Sequence, residues 1–520
     1  MSKKIISLFL SIIAVASCLF PTNTFAALNM ETTQGPADNV FFASSLEPYY
    51  EFNSKLADGA FYIPGLNNAV SYNNEFKCYS PNDTMIPQGM CTVEQFTLIT
   101  AYDSDEAAKS VIYVLDYNKN IVKTLILPDS YHVGGITYDI NNKLILITKG
   151  SKCEVGIISY DDFSKYLRFN SPFIKINYTI SESVSNIKAK SASGVTYKNG
   201  RVYLSAFGSG STSYAYCYTP YYDALNNAYY LTYQYKFSIP NYTQGITISS
   251  YKEKTRMFVS VSYGRSESKN IYCSYLYTYT FDETTGSKAL DNVLTCPPML
   301  QQTYCLGGKL YCLFESAAKL YKYDNKNPVD IVIPIKLSSL CDEKQGNNIN
   351  ISVKDVANGK YISIKTNISG ASIYYSSSMP YISRNKVVDG YKYTKAYTKT
   401  ASSMVYAVAV LKGRIVASDA VYVNVSRTAA PSKLKITAKS SKAVNLSWKT
   451  ASNAGGYYVY RSTSANGKYT LVGTVKSNKG SFKDKNVKAK KTYYYKVKAF
   501  RNGFANSSYT GYVKVTTKKS

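Results

Sequence analysis

Short runs of alternating apolar and polar residues dominate this chain, and a glycine phrase punctuates them about every fifty residues. The phrase reads Pro-Gln-Gly-Met at 87–90, Val-Gly-Gly-Ile at 133–136, Ala-Ser-Gly-Val at 192–195 and Thr-Gln-Gly-Ile at 243–246. A degraded copy, Leu-Gln-Gln-Thr, stands at 300–303. After each copy come turn residues and then a β-rich run: Thr97–Ala101, Leu144–Thr148, Val202–Ala206, Met257–Val261 and Leu310–Phe314. Period-two alternation of this kind predicts strands that are buried on one face. Further strands are expected at Val111–Asp116, Ile121–Leu127, Leu320–Tyr323 and Ile331–Ile335.

Corresponding phrase positions fall at 88, 134, 193, 244 and 301. Self-similarity at this period, with about four strands per unit, predicts a β-propeller. Five copies predict five blades, or six if residues 27–77 form one. That lead-in is otherwise expected to supply a closing strand to the first repeat. Glycine suits the phrase because innermost strands converge and their backbones approach closely. The expected fold class is therefore all-β, a propeller over 78–340 followed by two β-sandwiches. Ser338–Asn348 reads as a linker. Residues 347–426 alternate again, through Ile349, Ile351, Val353, Ile362 and Ile364, and 429–518 stands as the last domain.

The propeller region resembles the NHL and gluconolactonase superfamily through Gln244–Ile246, His132–Ile136, Ser262–Arg265 and Phe314–Ala318. Residues 370–375 and 406–410 resemble a chitobiase-type C-terminal domain. Residues 430–517 resemble a fibronectin type III domain: Val444–Trp448 carries its core tryptophan, and Tyr493 stands at its corner position. These resemblances imply fold; they imply activity only weakly.

Composition sharpens this picture. Tyr is abundant, at 53 residues against 1 Trp and 1 His, which fits strands and suggests glycan contact. Lys3 and Lys4, the apolar run Ile5–Phe20 and a small-residue site near Ala26 predict a secretory signal peptide over 1–26. Val15–Cys18 offers the competing expectation of a lipid anchor at Cys18. No later run has the ~20 apolar residues of a transmembrane span. The net charge of +28 is lopsided: residues from 427 onward carry 21 Lys+Arg and one acid, Asp484, whereas 30 basic residues before 347 face 29 acids. Such a tail suits an anionic cell-wall polymer or glycan, or serves solubility alone. Nine cysteines remain beyond Cys18, with no CxxC pair, so no metal site is expected. Cys91, Cys305 and Cys312 read as buried free thiols.

In a propeller, the loops entering the innermost strands and those leaving the second strands open at one end. Gln88, His132, Ser191, Ser193, Gln244 and Gln301 enter; Tyr102, Asp103, Lys149, Phe207, Tyr263, Arg265 and Glu315 leave. The neutral Gln, Gly and Ser nearest the axis argue against hydrolysis and suit hydroxyl-rich ligands. If the chain is an enzyme, His132, Asp103 and Glu315 are its catalytic candidates, acting on a glycan or a lactone. Arg265 is a candidate anion clamp. No nucleophile elbow or phosphate loop occurs, and no cofactor and no nucleic-acid partner is expected. The favoured expectation is a secreted, cell-surface-associated binding protein, with a propeller mouth for a glycan or cell-wall component and a basic module for attachment.

Overall fold

A computed structural model describes residues 30–37, 46, 49–149, 154–183, 192–208, 213–226, 228–262, 273–325, 327–342, 348–383 and 386–520. The expected leader 1–26 and the lipid-anchor cysteine lie outside them. The described chain is all-β with a few short helices. It divides into two compact units, one holding residues up to 348 with 380–389 and 408–419, the other holding 349–379, 390–407 and 420–520.

Five sheets of four or five strands follow one another through the first unit, none closing on itself, and two-stranded ribbons pair Ala69–Tyr72 with Tyr79–Asn82 and Tyr381–Ser383 with Lys386–Val388. Sheet one runs Met85–Val93, Phe96–Asp103, Val111–Leu115 and Ile121–Ile126, with Phe173–Lys175 added in parallel at its edge. Sheet two holds Ile136–Asp139, Leu144–Thr148, Val155–Ser159 and Thr179–Ile180. Sheet three holds Gly194–Lys198, Arg201–Ser205, Ser213–Asp223 and Ala228–Ile239, with Glu182–Ser183 in parallel. Sheet four holds Thr243–Tyr251, Lys254–Val261, Ser274–Phe281 and Lys288–Cys296. Sheet five holds Leu300–Leu306, Lys309–Phe314 and Ile331–Lys336. Its fourth strand is Phe61–Tyr62, antiparallel to Ile331–Lys336. The lead-in thus contributes a strand to the fifth repeat, where the sequence suggested the first.

Each glycine phrase lies at or inside the first strand of a sheet. The first hairpin of every sheet turns through a left-handed residue: Glu94, Lys143, Asn199, Lys252 or Gly307. Positive φ gives these tight turns the twist that antiparallel strands need. The first strand of each sheet lies beside the first strand of the next, and the fifth lies beside the first. A Cβ at Gly135 would stand 2.5 Å from Val195 N and 2.7 Å from Gly194 Cα. The close approach is backbone to backbone, so only glycine fits.

Two expected elements differ. Leu320–Tyr323 is a turn, its amides spent locally: Tyr321 N and Lys322 N both donate to the Ala318 carbonyl, at 2.8 and 2.9 Å. Leu320 and Tyr323 are exposed there, so their apolar character did not mark a strand. In the expected linker, Leu337–Cys341 forms a short helix that buries Leu337 and Leu340. Part of the tyrosine excess is core: Tyr113, Tyr203, Tyr218, Tyr229, Tyr275 and Tyr277 are among the largest fully buried side chains.

The second unit begins with a three-stranded sheet, Ile349–Val356, Gly359–Thr366 and Tyr397–Lys399. The same unit also holds Ser372–Ser376, paired antiparallel with Tyr391–Lys392. The last seven strands form a fibronectin type III-like β-sandwich. One of its sheets orders Ser432–Lys439, Val444–Lys449 and Ser481–Asp484; the other orders Thr470–Lys476, Gly456–Ser462, Thr492–Phe500 and Val513–Thr516. Trp448 is buried edge-on to Tyr457, with ring centroids 5.5 Å apart. The Tyr493 hydroxyl accepts from Lys488 N at 3.0 Å, which is the tyrosine corner of such sandwiches.

Candidate functional site

Residues leaving one sheet meet residues entering the next. Tyr102, at the end of the second strand of sheet one, lies with its ring 4.5 Å from that of His132, which enters sheet two. Phe207, leaving sheet three, stands edge-on to Tyr242, which enters sheet four, at 6.1 Å. Glu315, leaving sheet five, accepts from Gln88 Nε2 of sheet one at 2.6 Å. Ser193 and Gln244 bond within their own sheets, to Ser205 O at 3.1 Å and to Ser262 O at 3.3 Å. Gln301 is buried at the start of sheet five. Tyr263, Arg265 and Ser191 lie outside the described residues.

Both candidate catalytic carboxylates are engaged. Glu315 and Gln88 are buried together, and Gln88 Nε2 also donates to the Pro87 carbonyl at 3.0 Å. Asp103 is buried and organises a turn: its Oδ1 accepts from Thr84 Oγ1 at 2.5 Å and its Oδ2 from Ala108 N at 2.8 Å. A carboxylate holding loop amides in this way is a local scaffold.

One side chain links first strands of four of the five sheets. Gln302, which replaces the phrase glycine in the fifth copy, is buried. Its Oε1 accepts from Met90 N at 3.2 Å and from Ile136 N at 3.1 Å. Its Nε2 donates to Ile136 O at 3.1 Å and to Val195 O at 3.0 Å. One amide thereby ties sheets one, two, three and five. The sequence marked Gln302 only as a departure from the repeat; no local pattern announces that a side chain will serve three other strands.

Lys149, leaving sheet two, lies 3.8 Å from Asp129 and over the rings of Tyr131 and Tyr178 at 4.8 and 5.5 Å. The Tyr178 hydroxyl donates to Asp129, and burial, then that bond, push its pKa up. A small cavity among Asp129, Tyr131, Lys149 and Tyr178 measures about 10 Å³, the scale of one water. A wider depression of about 620 Å³ is lined by Tyr251, Lys252, Glu253, Lys254, Arg256, Cys341 and Asp342. Two of its cations are paired: Lys252 with Asp342 at 2.9 Å, and Arg256 with Asp291 at 2.6 Å. Sequence reasoning missed this depression because it joins a hairpin of sheet four to the helix read as a linker.

Among the described residues, no group of three His, Cys, Asp or Glu could hold a metal, and no helix is long and apolar enough to cross a membrane. Among the described residues, Cys91, Cys305 and Cys312 form no disulfide. Burial pushes the Cys305 thiol up to about 12.

The basic C-terminal sandwich carries its charge almost unopposed. Its one acid, Asp484, is buried, with Oδ2 accepting from Arg461 Nη1 and from the Tyr495 hydroxyl, both at 2.8 Å. Asp484 Oδ1 accepts from Asn486 N at 2.9 Å. No acidic side chain from 427 onward therefore reaches the surface.

No known protein family matches the chain, and no curated protein does. Solved structures similar to part of it include a Fn3-like protein from Clostridium thermocellum, 28% identical over 18% of this chain and 96% of that one, with a TM-score of 0.16. The fn3 domain of human contactin 1 is 20% identical over 18% of this chain and 80% of its own, with a TM-score of 0.17. The FN5 domain of Drosophila Lar is 17% identical over 18% of this chain and 98% of its own, at 0.16.

Proposed function

We propose that this chain is a cell-surface-associated binding protein, attached through its basic sandwich to an anionic envelope polymer or glycan. The observation that carries the reading is the burial of Asp484, which leaves 21 Lys and Arg of the sandwich segment with no exposed acid. A field of one sign attracts polyanions and answers to ionic strength. The five-sheet unit is on this reading a five-bladed propeller, supported by the succession of its first strands and the side-by-side placement of the fifth and first. Its recognition surface is the rim, where Tyr102, His132 and Phe207 cluster in aromatic pairs, because Gln302 links first strands of four of the five sheets. The leader-like N-terminus supports a place outside the cytoplasm.

Co-sedimentation of the full chain with isolated bacterial cell walls tests the attachment. The chain is expected in the pellet at about 0.05 M salt and in the supernatant at about 0.5 M, where screening is short-ranged. Binding that ignores salt, or no binding, overturns it.

A further inference from the structure

The sandwich presents two outward faces of different character. In Thr492–Phe500, Tyr493, Tyr495, Val497 and Ala499 are buried, which turns Tyr494, Lys496 and Lys498 outward. In Gly456–Ser462, Tyr457 and Val459 are buried, which turns Tyr458 and Tyr460 outward. The register sets Tyr458 opposite Lys498 and Tyr460 opposite Lys496, so rings and ammonium groups alternate across the sheet. The Lys498 ammonium lies over Tyr460 and Tyr509, at 5.2 and 5.0 Å from their centroids. Lys496 lies over Tyr469 at 4.4 Å.

Edge-to-face contacts brace the tyrosines. Tyr509 stands at 85° to Tyr460 with centroids 5.2 Å apart, and Tyr512 at 73° to Tyr494 at 5.4 Å. Tyr509 and Tyr512 are nevertheless 44% and 50% exposed. Rings already held in place lose little freedom when a ligand lies on them. The other sheet turns out Lys435 and Lys483, paired across strands with Ser447 and Asn445. That face has charge without rings, which is all that solubility requires. A contiguous aromatic surface beyond that need marks an interaction site.

We propose that the outward face of the four-stranded sheet binds an anionic polysaccharide, its sugar rings lying on the braced tyrosines and its carboxylates meeting Lys496 and Lys498. The proposal rests on the reading of the sandwich as an attachment module and adds where and what it binds. Charge complementarity selects an anion, because the face carries cations and no acid. Flat apolar ring faces and phenolic hydroxyls select a polymer of pyranose rings rather than a bare polyanion. The leader-like N-terminus favours a glycan over a nucleic acid.

Affinity electrophoresis of the full chain at about 0.15 M salt tests this, with polygalacturonate, polyglutamate or poly-dT in the gel. Polygalacturonate is expected to retard the chain more than polyglutamate of equal charge. The pair Tyr460→Ser and Tyr509→Ser is expected to weaken that retardation about tenfold, while Lys435→Gln with Lys483→Gln weakens it no more than about twofold. Trp448, the only tryptophan of the chain and part of the sandwich core, checks by its fluorescence that each variant is folded. Equal binding of polyglutamate, with the tyrosine pair having no effect, overturns the face proposal and leaves charge-driven attachment standing. A tyrosine effect confined to poly-dT overturns it in favour of nucleic acid. Failure of the unaltered chain to bind any of the three overturns both readings.

Discussion

Gln302 pairs with Ile136 in both directions, its Nε2 donating to the Ile136 carbonyl and its Oε1 accepting from the Ile136 N–H, each at 3.1 Å. The side-chain amide behaves there like a length of neighbouring backbone. Gln302→Ala leaves Met90 N, Ile136 N and O, and Val195 O without that buried partner. A loss of about 2–4 kcal/mol is expected. Urea unfolding followed by far-UV circular dichroism measures it, and an unchanged midpoint contradicts the bonding described.

The phrase glycines should tolerate nothing larger. Gly135→Ala places a Cβ 2.5 Å from Val195 N, where backbone must move, and is expected to cost about 1–3 kcal/mol. Gly35→Ala meets nothing within 4 Å and is expected to stay within about 0.5 kcal/mol of the parent. Paired thermal melts of the two variants separate close approach from the general cost of changing a glycine.

Much of the five-sheet unit was legible because its repeats announce themselves twice, by the glycine phrase and by the alternation that follows. The second strands came out within a few residues, as at Leu144–Thr148. Two elements departed from the pattern: Leu320–Tyr323 has strand-like residues but spends its amides on a turn, and Phe61–Tyr62 joined a sheet more than two hundred residues away. The grouping of leaving with entering loops listed Tyr102 with His132 and Glu315 with Gln88, and each of these pairs is in contact. It could not show that Glu315 and Asp103 would be buried and engaged, because their partners, Gln88 and Thr84, carry no catalytic signature.

Alkaline pH should weaken the fold. Burial pushes the Cys273 and Cys305 thiols up to about 12, from an ordinary 9.0. Burial, then the nearby Cys91 thiol, pushes Tyr304 from 10.0 to about 12. Groups held protonated in the folded state contribute fully below their unfolded values. Their contribution is lost as pH rises through about 9 to 12. Urea midpoints are expected to be level from about pH 7 to 8 and to fall steadily above 9; a midpoint still level at pH 11 contradicts this.

Asp484 is the keystone of the sandwich charge pattern. Asp484→Ala removes the carboxylate partner of Arg461 and of the Tyr495 hydroxyl, with an expected loss of about 2–4 kcal/mol. Because Trp448 is the one tryptophan, its emission follows this sandwich separately from the five-sheet unit. The variant is expected to lower the fluorescence midpoint more than it lowers the circular dichroism signal of the rest.

The pairing of Phe61–Tyr62 with Ile331–Lys336 also sets a schedule. During synthesis, the early strand leaves the ribosome long before its partner exists. Sheets one to four can form in turn as they emerge. The fifth waits until residue 336 is made, and only then does the early strand find its edge. A chain cut short after Glu315 would keep four complete sheets and an open seam, with Phe61–Tyr62 unpaired.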